Sequence, residues 1–167
     1  MFRIAQQTPA DDAAVESLMA EAFGPARHER SVWALRPGPP VARLCLMGFN
    51  DAAPVGSLRF WEVMLGDERV LLLGPLAVQP EVRGKGFGRR LVEAGLRHAA
   101  GGDWPLVLVS GEPHYYPKFG FVPATGYDLD WPGFVEAERL QFCELVPGAL
   151  TRLPPGKLAV RAIASTP

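Results

Sequence analysis

This chain of 167 residues has few cysteines and almost no net charge. Its two cysteines, Cys45 and Cys143, are too few and too far apart in sequence for a disulfide framework or a zinc site. We therefore expect free thiols and no metal. The formal net charge of −1 argues against a nucleic-acid partner, because proteins that bind a polyphosphate backbone carry a strong basic excess. Clusters of charge in this chain are therefore local features.

Long apolar runs are also missing. No run approaches the length of about 18 residues that a membrane-spanning helix needs, and the first residues lack the apolar segment of a secretion signal. With 48% hydrophobic and 21% charged residues, the composition is that of a folded globular chain. We expect a cytoplasmic protein that does not bind membranes, present as a monomer or a homodimer.

Hydrophobic periodicity predicts an α/β (α+β) fold in a single domain over residues 1–147, followed by a tail, 148–167, whose packing stays open. Thr8 and Pro9 suit the start of a helix, and Gly24 and Pro25 suit its end. The predicted strands are residues 2–6, 41–49, 55–64, 70–78, 105–109, 119–122 and 139–145, and the predicted helices are residues 9–23, 29–35, 87–100 and 113–118.

Residues 83–90, Arg-Gly-Lys-Gly-Phe-Gly-Arg-Arg, are the most informative segment. They lie between the apolar run 70–78 and the amphipathic run 87–100, in the order strand, glycine loop, helix. Glycines allow successive backbone N–H groups to turn towards one point, and the helix N-terminus adds partial positive charge. The segment therefore predicts a site for a phosphate or pyrophosphate.

Two familiar glycine loops do not match this segment. A P-loop requires Ser or Thr after its lysine, and Lys85 is followed by Gly86. A dinucleotide-binding G-x-G-x-x-G loop requires glycine at position 89, which is Arg89. Glu112 lies about where that motif places a ribose-binding acid, but the motif belongs to the first strand–helix turn of a domain. A nucleotide-dependent oxidoreductase is therefore the weakest of the alternatives that we consider.

A third loop fits, because Arg83-Gly-Lys-Gly-Phe-Gly88 resembles the Arg-x-x-Gly-x-Gly pyrophosphate loop of the GNAT superfamily of N-acetyltransferases. Residues 76–92 are similar to that family's central motif A, and Tyr116-Pro-Lys-Phe-Gly-Phe121 is similar to its Tyr-x-x-x-Gly-Phe signature. Residues 111–116 and 131–133 look similar to the YhbS-type group of predicted bacterial N-acetyltransferases. The resemblance is strong over residues 70–145.

The resemblance implies the GNAT fold, a mixed and mostly antiparallel central sheet with a splayed parallel strand pair and helices on both faces. Acetyl-CoA would lie in the gap between the splayed strands, with Gly74-Pro75 as the bulge that opens it. The residues implied to bind CoA are Leu76, Ala77, Val78, Arg83, Gly84, Lys85, Gly86, Phe87, Gly88, Arg89, Ser110 and Tyr116.

The resemblance also implies direct attack by an amine of a small molecule or peptide on acetyl-CoA. The backbone N–H of Leu76 would stabilise the oxyanion, and Tyr116 would be the general acid. Some family members carry a glutamate base at the position of Leu72, so that role does not transfer. The candidates for the base, each equally open to a structural role, are Glu62, Glu112 and His114.

Two questions stay open at this level. Arg27, His28 and Arg30 lie where the family places acceptor specificity, and they either receive an acidic substrate or form a solvated charged face. Because the glutamate base is missing, a non-catalytic acyl-CoA-binding module of the same fold is the alternative function.

Overall fold

A computed structural model of the chain describes residues 1–163, which form two α-helices and nine strands joined by short 3₁₀ segments. The last four residues of the predicted tail, 164–167, lie outside the described residues. The helices are α1 (Asp12–Phe23) and α2 (Phe87–Ala100), and the strands are β1 (Phe2–Gln6), β2 (Leu46–Asn50), β3 (Ala53–Leu65), β4 (Glu68–Val78), β5 (Leu106–Ser110), β6 (Val122–Pro123), β7 (Asp128–Asp130), β8 (Leu140–Glu144) and β9 (Lys157–Ala162).

The strands form one mixed sheet in the order β1-β2-β3-β4-β5-β8-β6. Neighbours along this order pair antiparallel, with the exception of β4 and β5, which pair parallel. The helices cover opposite faces, since α2 packs on the side of Leu46 and α1 on the side of Met47. The predicted fold class is thus confirmed. Within residues 1–163, neither helix has the length and hydrophobicity needed to cross a bilayer.

The central position of β4 in the sheet explains why its sequence is almost continuously apolar. Leu71 and Leu73 face the cluster beneath α2, whereas Val70 and Leu72 face a second cluster on the other side of the sheet. Both faces of a central strand flanked by a parallel neighbour are buried, so neither face tolerates polar side chains. This burial anchors the strand that leads to the glycine loop.

The start of α1 follows the predicted chemistry. The Thr8 hydroxyl and backbone N–H lie 3.4 Å and 2.8 Å from a carboxylate oxygen of Asp11, and a 3₁₀ turn, Pro9–Asp11, leads into the helix. Gly24, with a φ of 77°, ends it.

Four predicted elements differ from the structure. Helix 29–35 is instead two 3₁₀ segments, Pro25–Glu29 and Ser31–Leu35, because Arg30 between them is extended. Strand 41–49 begins only at Leu46, after a 3₁₀ turn at Ala42–Leu44. Helix 113–118 is a 3₁₀ segment, Tyr116–Phe119. Strand 119–122 is reduced to β6, Val122–Pro123, because Phe119 still belongs to the 3₁₀ segment and Gly120 turns the chain with a φ of 97°.

Within the described part of the tail, residues 148–163, a strand packs against the sheet. Strand β9 pairs antiparallel with β3 and parallel with β7, and its Leu158 and Val160 are buried. These side chains join the cluster that also contains Leu72, so the end of the described chain closes one face of the core.

Candidate active site

The site begins at a bulge in β4. Leu76 pairs with Leu58 of β3 and Leu73 pairs with Phe60, so Gly74 and Pro75 together oppose the single residue between Leu58 and Phe60. Two residues opposite one is the definition of a β-bulge. Proline has no N–H to donate, and it is tolerated at a bulge because the ladder of hydrogen bonds is interrupted there. The predicted bulge at Gly74-Pro75 is confirmed.

Beyond the bulge, β4 and β5 separate. Their parallel pairing ends at Leu72 and Leu108, although β4 continues to Val78. The N–H of Gln79 donates to the carbonyl of Val55 in β3 at 2.8 Å. Hydrogen bonding alternates along an antiparallel pair, so the backbone groups of Leu76 and Val78 point away from β3 into the gap.

The same alternation changes the expectation for Ala77. Its backbone groups point to β3, and its buried side chain packs with α1. Ala77 therefore supports the gap and does not offer its own hydrogen-bonding groups to it.

Helix α2 begins at the far end of this gap. Gly86 precedes the helix with a φ of 81° and, within the described chain, no side chain caps the helix N-terminus. A Cβ built on Gly84 or Gly86 meets no atom within 4 Å, so the backbone of the loop borders open space. The first N–H groups of α2 are thus donors available to an anion.

One groove, with a volume of about 470 Å³, joins the gap to the loop. Leu76 and Val78 form its β4 side, while Phe23 and Lys118 border it from other elements. Its remaining lining residues are Ala22, Val82, Arg83, Gly84, Gly86, Phe87, Gly88, Arg89 and Tyr115.

A second cavity, of about 220 Å³, lies on the other side of Tyr115. Tyr115, Leu76 and Phe23 line both spaces, so the groove and the cavity meet at the residue that follows the bulge. Tyr116 and Glu112 line the cavity but not the groove. A ligand that filled the groove would therefore present its end to the cavity at Leu76.

The similarity to known proteins agrees with this geometry. Residues 42–123 match the family model described as an acetyltransferase (GNAT) domain. The uncharacterized N-acetyltransferase YjhQ of Escherichia coli K12 is 30% identical over 136 residues, which span 78% of this chain and 74% of YjhQ. The chain belongs to the GNAT family.

Two crystal structures of GNAT proteins share the fold. The N-acetyltransferase YhbS of Escherichia coli in complex with CoA has 27% identity and a TM-score of 0.75, covering 95% of this chain and 88% of YhbS. A GNAT acetyltransferase of Brucella melitensis in complex with acetyl-CoA has 25% identity and a TM-score of 0.71, covering 95% of both chains.

The basic residues of the GNAT loop do not all point to one place. Arg83 donates through Nε to the carbonyl of Val78 at 3.3 Å, while Arg89 pairs with Glu93 at 2.8 Å. Arg90 lies over the ring of Phe2 at 4.7 Å, and Lys85 is exposed.

Lys118, which lies over the Tyr115 ring at 4.2 Å, lines the groove without having been singled out from the sequence. It occupies a variable position of the Tyr-x-x-x-Gly-Phe pattern, so the pattern carried no signal for it.

Tyr116 lies where a proton donor is useful. Its side chain is 8% exposed and lines the cavity beside Ser110 at the end of β5. Burial raises the pKa of Tyr116 above its ordinary value, and the neighbouring Tyr115 raises it further. The phenol therefore stays protonated at neutral pH, which is the state that a proton donor requires.

The three candidate bases have different surroundings. Glu62 accepts a hydrogen bond from Nε1 of Trp104 at 2.9 Å and pairs with Arg69 at 3.7 Å, on the sheet face covered by α2. Glu112 lines the cavity, and its carboxylate accepts the backbone N–H of His114 at 2.9 Å. We carry Glu112 into the proposed function because it lines the cavity, whereas Glu62 and His114 line neither the cavity nor the groove.

Of the three residues expected to select the acceptor, Arg30 lines the cavity, whereas Arg27 and His28 contact other residues of the chain. Arg27 bonds Glu16 and the carbonyl of Gly24, and the ring of His28 packs edge-on against Trp33. Arg30 lines the cavity together with two residues that sequence reasoning missed, Arg36 and Arg139. Neither of these belongs to a motif, and only the tertiary fold brings them to the same cavity.

Proposed function

We propose that this GNAT protein transfers the acetyl group of acetyl-CoA to a primary amine of a small molecule or peptide. The observation that supports it is the continuous groove from the uncapped start of α2 to the open edge of β4 at Leu76. The groove meets a second cavity at that residue, which gives the acceptor its own entrance. Relatives of the same fold contain CoA and acetyl-CoA.

Backbone donors bind the substrate acetyl-CoA in this proposal. The N–H groups of residues 84–88 and the positive end of the α2 dipole bind the pyrophosphate, whereas the N–H of Arg83 already donates to the carbonyl of Pro80 at 3.3 Å. The N–H of Val78 pairs with the pantetheine arm, while the carbonyl of Val78 already accepts Arg83. Lys118 adds positive charge from across the groove.

The chemistry takes place at Leu76. The N–H of Leu76 donates to the thioester carbonyl, which favours attack on its carbon because negative charge develops on the oxygen. The lone pair of the neutral amine forms the new C–N bond, and the C–S bond breaks. Tyr116 gives its proton to the departing thiolate, and the surplus proton of the amine leaves through water or Glu112.

The reaction is tested by incubating the protein with acetyl-CoA and a panel of amines while free thiol is measured. Thiol release that depends on one or more amines supports the proposal. CoA binding measured by calorimetry, without thiol release across the panel, would favour the non-catalytic acyl-CoA-binding module instead. A fluorescence titration with NADH tests the oxidoreductase alternative, and saturable binding of NADH would support it.

A further inference from the structure

Three arginines without acidic partners meet at the cavity of about 220 Å³ beside Tyr115, which we call the inner cavity. Arg30, Arg36 and Arg139 all line it, and within residues 1–163 none of the three forms an ion pair. Arg36 and Arg139 are half-buried and Arg30 is exposed, and the Nε of Arg36 is buried without a hydrogen-bond partner. An arginine charge that loses hydration normally has an acidic partner, so three unpaired arginines around one small cavity indicate that something else supplies the negative charge.

Arg36 is the innermost of the three. Its Nε is buried and has no hydrogen-bond partner, and its guanidinium lies over the Trp33 ring at 4.8 Å. A Cβ on Gly74 would lie 2.9 Å from Nη2 of Arg36, so the guanidinium contacts the β4 bulge itself. Burial, and then the charge of Arg30, lower the pKa of Arg36 to about 9. The negative charge of a bound anion would offset both effects.

Arg30 and Arg139 extend the positive charge outward. Both also line an adjoining cavity of about 410 Å³, together with Ser110 and Val32 of the inner cavity. Burial, and then the charge of Arg139, lower the pKa of Arg30 from its ordinary value. Glu29 and Glu136 line the adjoining cavity alone, whereas Arg30 and Arg139 line both cavities, so the positive charge lies where the two cavities meet.

The one carboxylate that lines the inner cavity does not neutralise these arginines. Glu112 is exposed, its oxygen accepts the N–H of His114, and it forms no ion pair within the described chain. Its role as a proton acceptor under the proposed function also requires that it stay free.

We propose that the acceptor carries an anionic group, a carboxylate or a phosphate, a few bonds from the amine that is acetylated. Arg36 and Arg139 bind that group, and Arg30 attracts it from the adjoining cavity. The short separation follows from position, because Arg36 contacts Gly74, only two residues before Leu76. Guanidinium groups bind both oxyanions through paired hydrogen bonds. This inference rests on the proposed function, since it assigns the acceptor of the same site.

The first experiment needs no turnover. The protein is saturated with CoA so that its phosphate-binding loop is filled, and inorganic phosphate or acetate is titrated while the melting temperature is followed. We expect a saturable rise in the wild type that is lost in Arg36→Gln and Arg139→Gln and kept in Arg161→Gln. Arg161 lies on β9 and donates to the carbonyl of Gly66, outside the cavity.

Two results would overturn the inference at this stage. The first is a wild type that shows no saturable response to either anion. The second is a response that persists in both cavity variants, which would mark an adventitious site elsewhere on the surface. Two variants are used because either substitution by itself could impair folding, which circular dichroism reports.

The second experiment uses matched acceptors, with glycine against glycinamide and O-phosphoethanolamine against ethanolamine. The effect of Arg36→Gln on kcat/KM is compared within each pair, so that differences in amine pKa cancel. We expect a loss of about tenfold or more for the anionic member and a much smaller loss for the neutral one. The glycine and phosphoethanolamine arms distinguish a carboxylate from a phosphate.

Equal losses for charged and neutral members would contradict the inference while leaving acetyl transfer intact. Absence of CoA binding would instead defeat the proposed function. In that case the anion titration is run without CoA, and the two cavity variants still decide whether Arg36 and Arg139 hold an anion.

Discussion

The ring of Tyr116 lies directly on the backbone of Gly111. A Cβ at Gly111 would lie 2.2 Å from Cε2 of Tyr116, closer than any real contact allows. Tyr115 and Phe121 hold the ring edge-on from other sides, with centroid distances of 5.1 Å and 5.5 Å. The phenol is therefore positioned partly by the absence of a side chain at the end of β5.

This contact predicts that Gly111→Ala lowers kcat by displacing Tyr116, while the CoA groove keeps its affinity. Gly126→Ala is a matched control, because a Cβ at Gly126 meets nothing within 4 Å. We expect a loss of about tenfold or more for Gly111→Ala and wild-type rates for Gly126→Ala. Equal rates in the two variants would show that the ring position does not matter for turnover.

Removal of the phenol oxygen tests Tyr116 more directly. Tyr116→Phe keeps the buried ring and loses only the proton donor, so we expect kcat to fall by about a hundredfold while acetyl-CoA affinity stays nearly unchanged. Tyr115→Phe is the comparison, since Tyr115 borders both the groove and the cavity. A larger loss in Tyr115→Phe would transfer the role of general acid to that residue.

The pH dependence of turnover follows from the buried state of Tyr116. Because burial raises the pKa of this phenol, it stays protonated to a higher pH than a solvated tyrosine, which ionises near pH 10. At saturating substrates, kcat should therefore not decline between about pH 7 and pH 9.5. A falling limb in that range that disappears in Tyr116→Phe would contradict the prediction.

The role of the glycine loop in CoA binding is tested by one substitution in the loop and a matched substitution elsewhere in the chain. Gly86→Asp places a carboxylate beside the phosphate-binding N–H groups, so we expect CoA binding to be lost in calorimetry. Gly156→Asp introduces the same side chain at a similar φ, 91° against 81°, and both positions border open space. It should bind CoA normally, because φ is similar at the two positions and the location differs. Unchanged affinity in Gly86→Asp would refute the assignment of the loop.

The packing of β9 predicts that the tail stabilises the fold. Leu158 is 3% exposed and belongs to the cluster that contains Leu72 and Phe142. Leu158→Ala should lower the free energy of unfolding by about 2–5 kcal/mol, measured by urea denaturation. Lys157→Ala, at an exposed neighbouring position, should cost far less. Equal stabilities would show that β9 does not contribute to the core.

Elements with strong local signals were predicted most closely. The bounds of β1 match residues 2–6, and those of α2 match residues 87–100, because a glycine loop and a glycine pair bracket an amphipathic run. The segment 25–35 was predicted less well, since its two 3₁₀ turns are held by tertiary contacts such as the hydrogen bond from Ser31 to the carbonyl of Phe134.

By itself, the sequence determined the strand–loop–helix order, the bulge at Gly74-Pro75 and the family, because these depend on glycine, proline and hydrophobic spacing within one stretch of chain. Only the tertiary structure decided which side chains meet. Arg36 and Arg139 are far apart in sequence, and they reach one cavity because the chain between them folds around the same gap in the sheet. Local patterns record backbone preferences, whereas a shared cavity depends on long-range packing that no short segment contains.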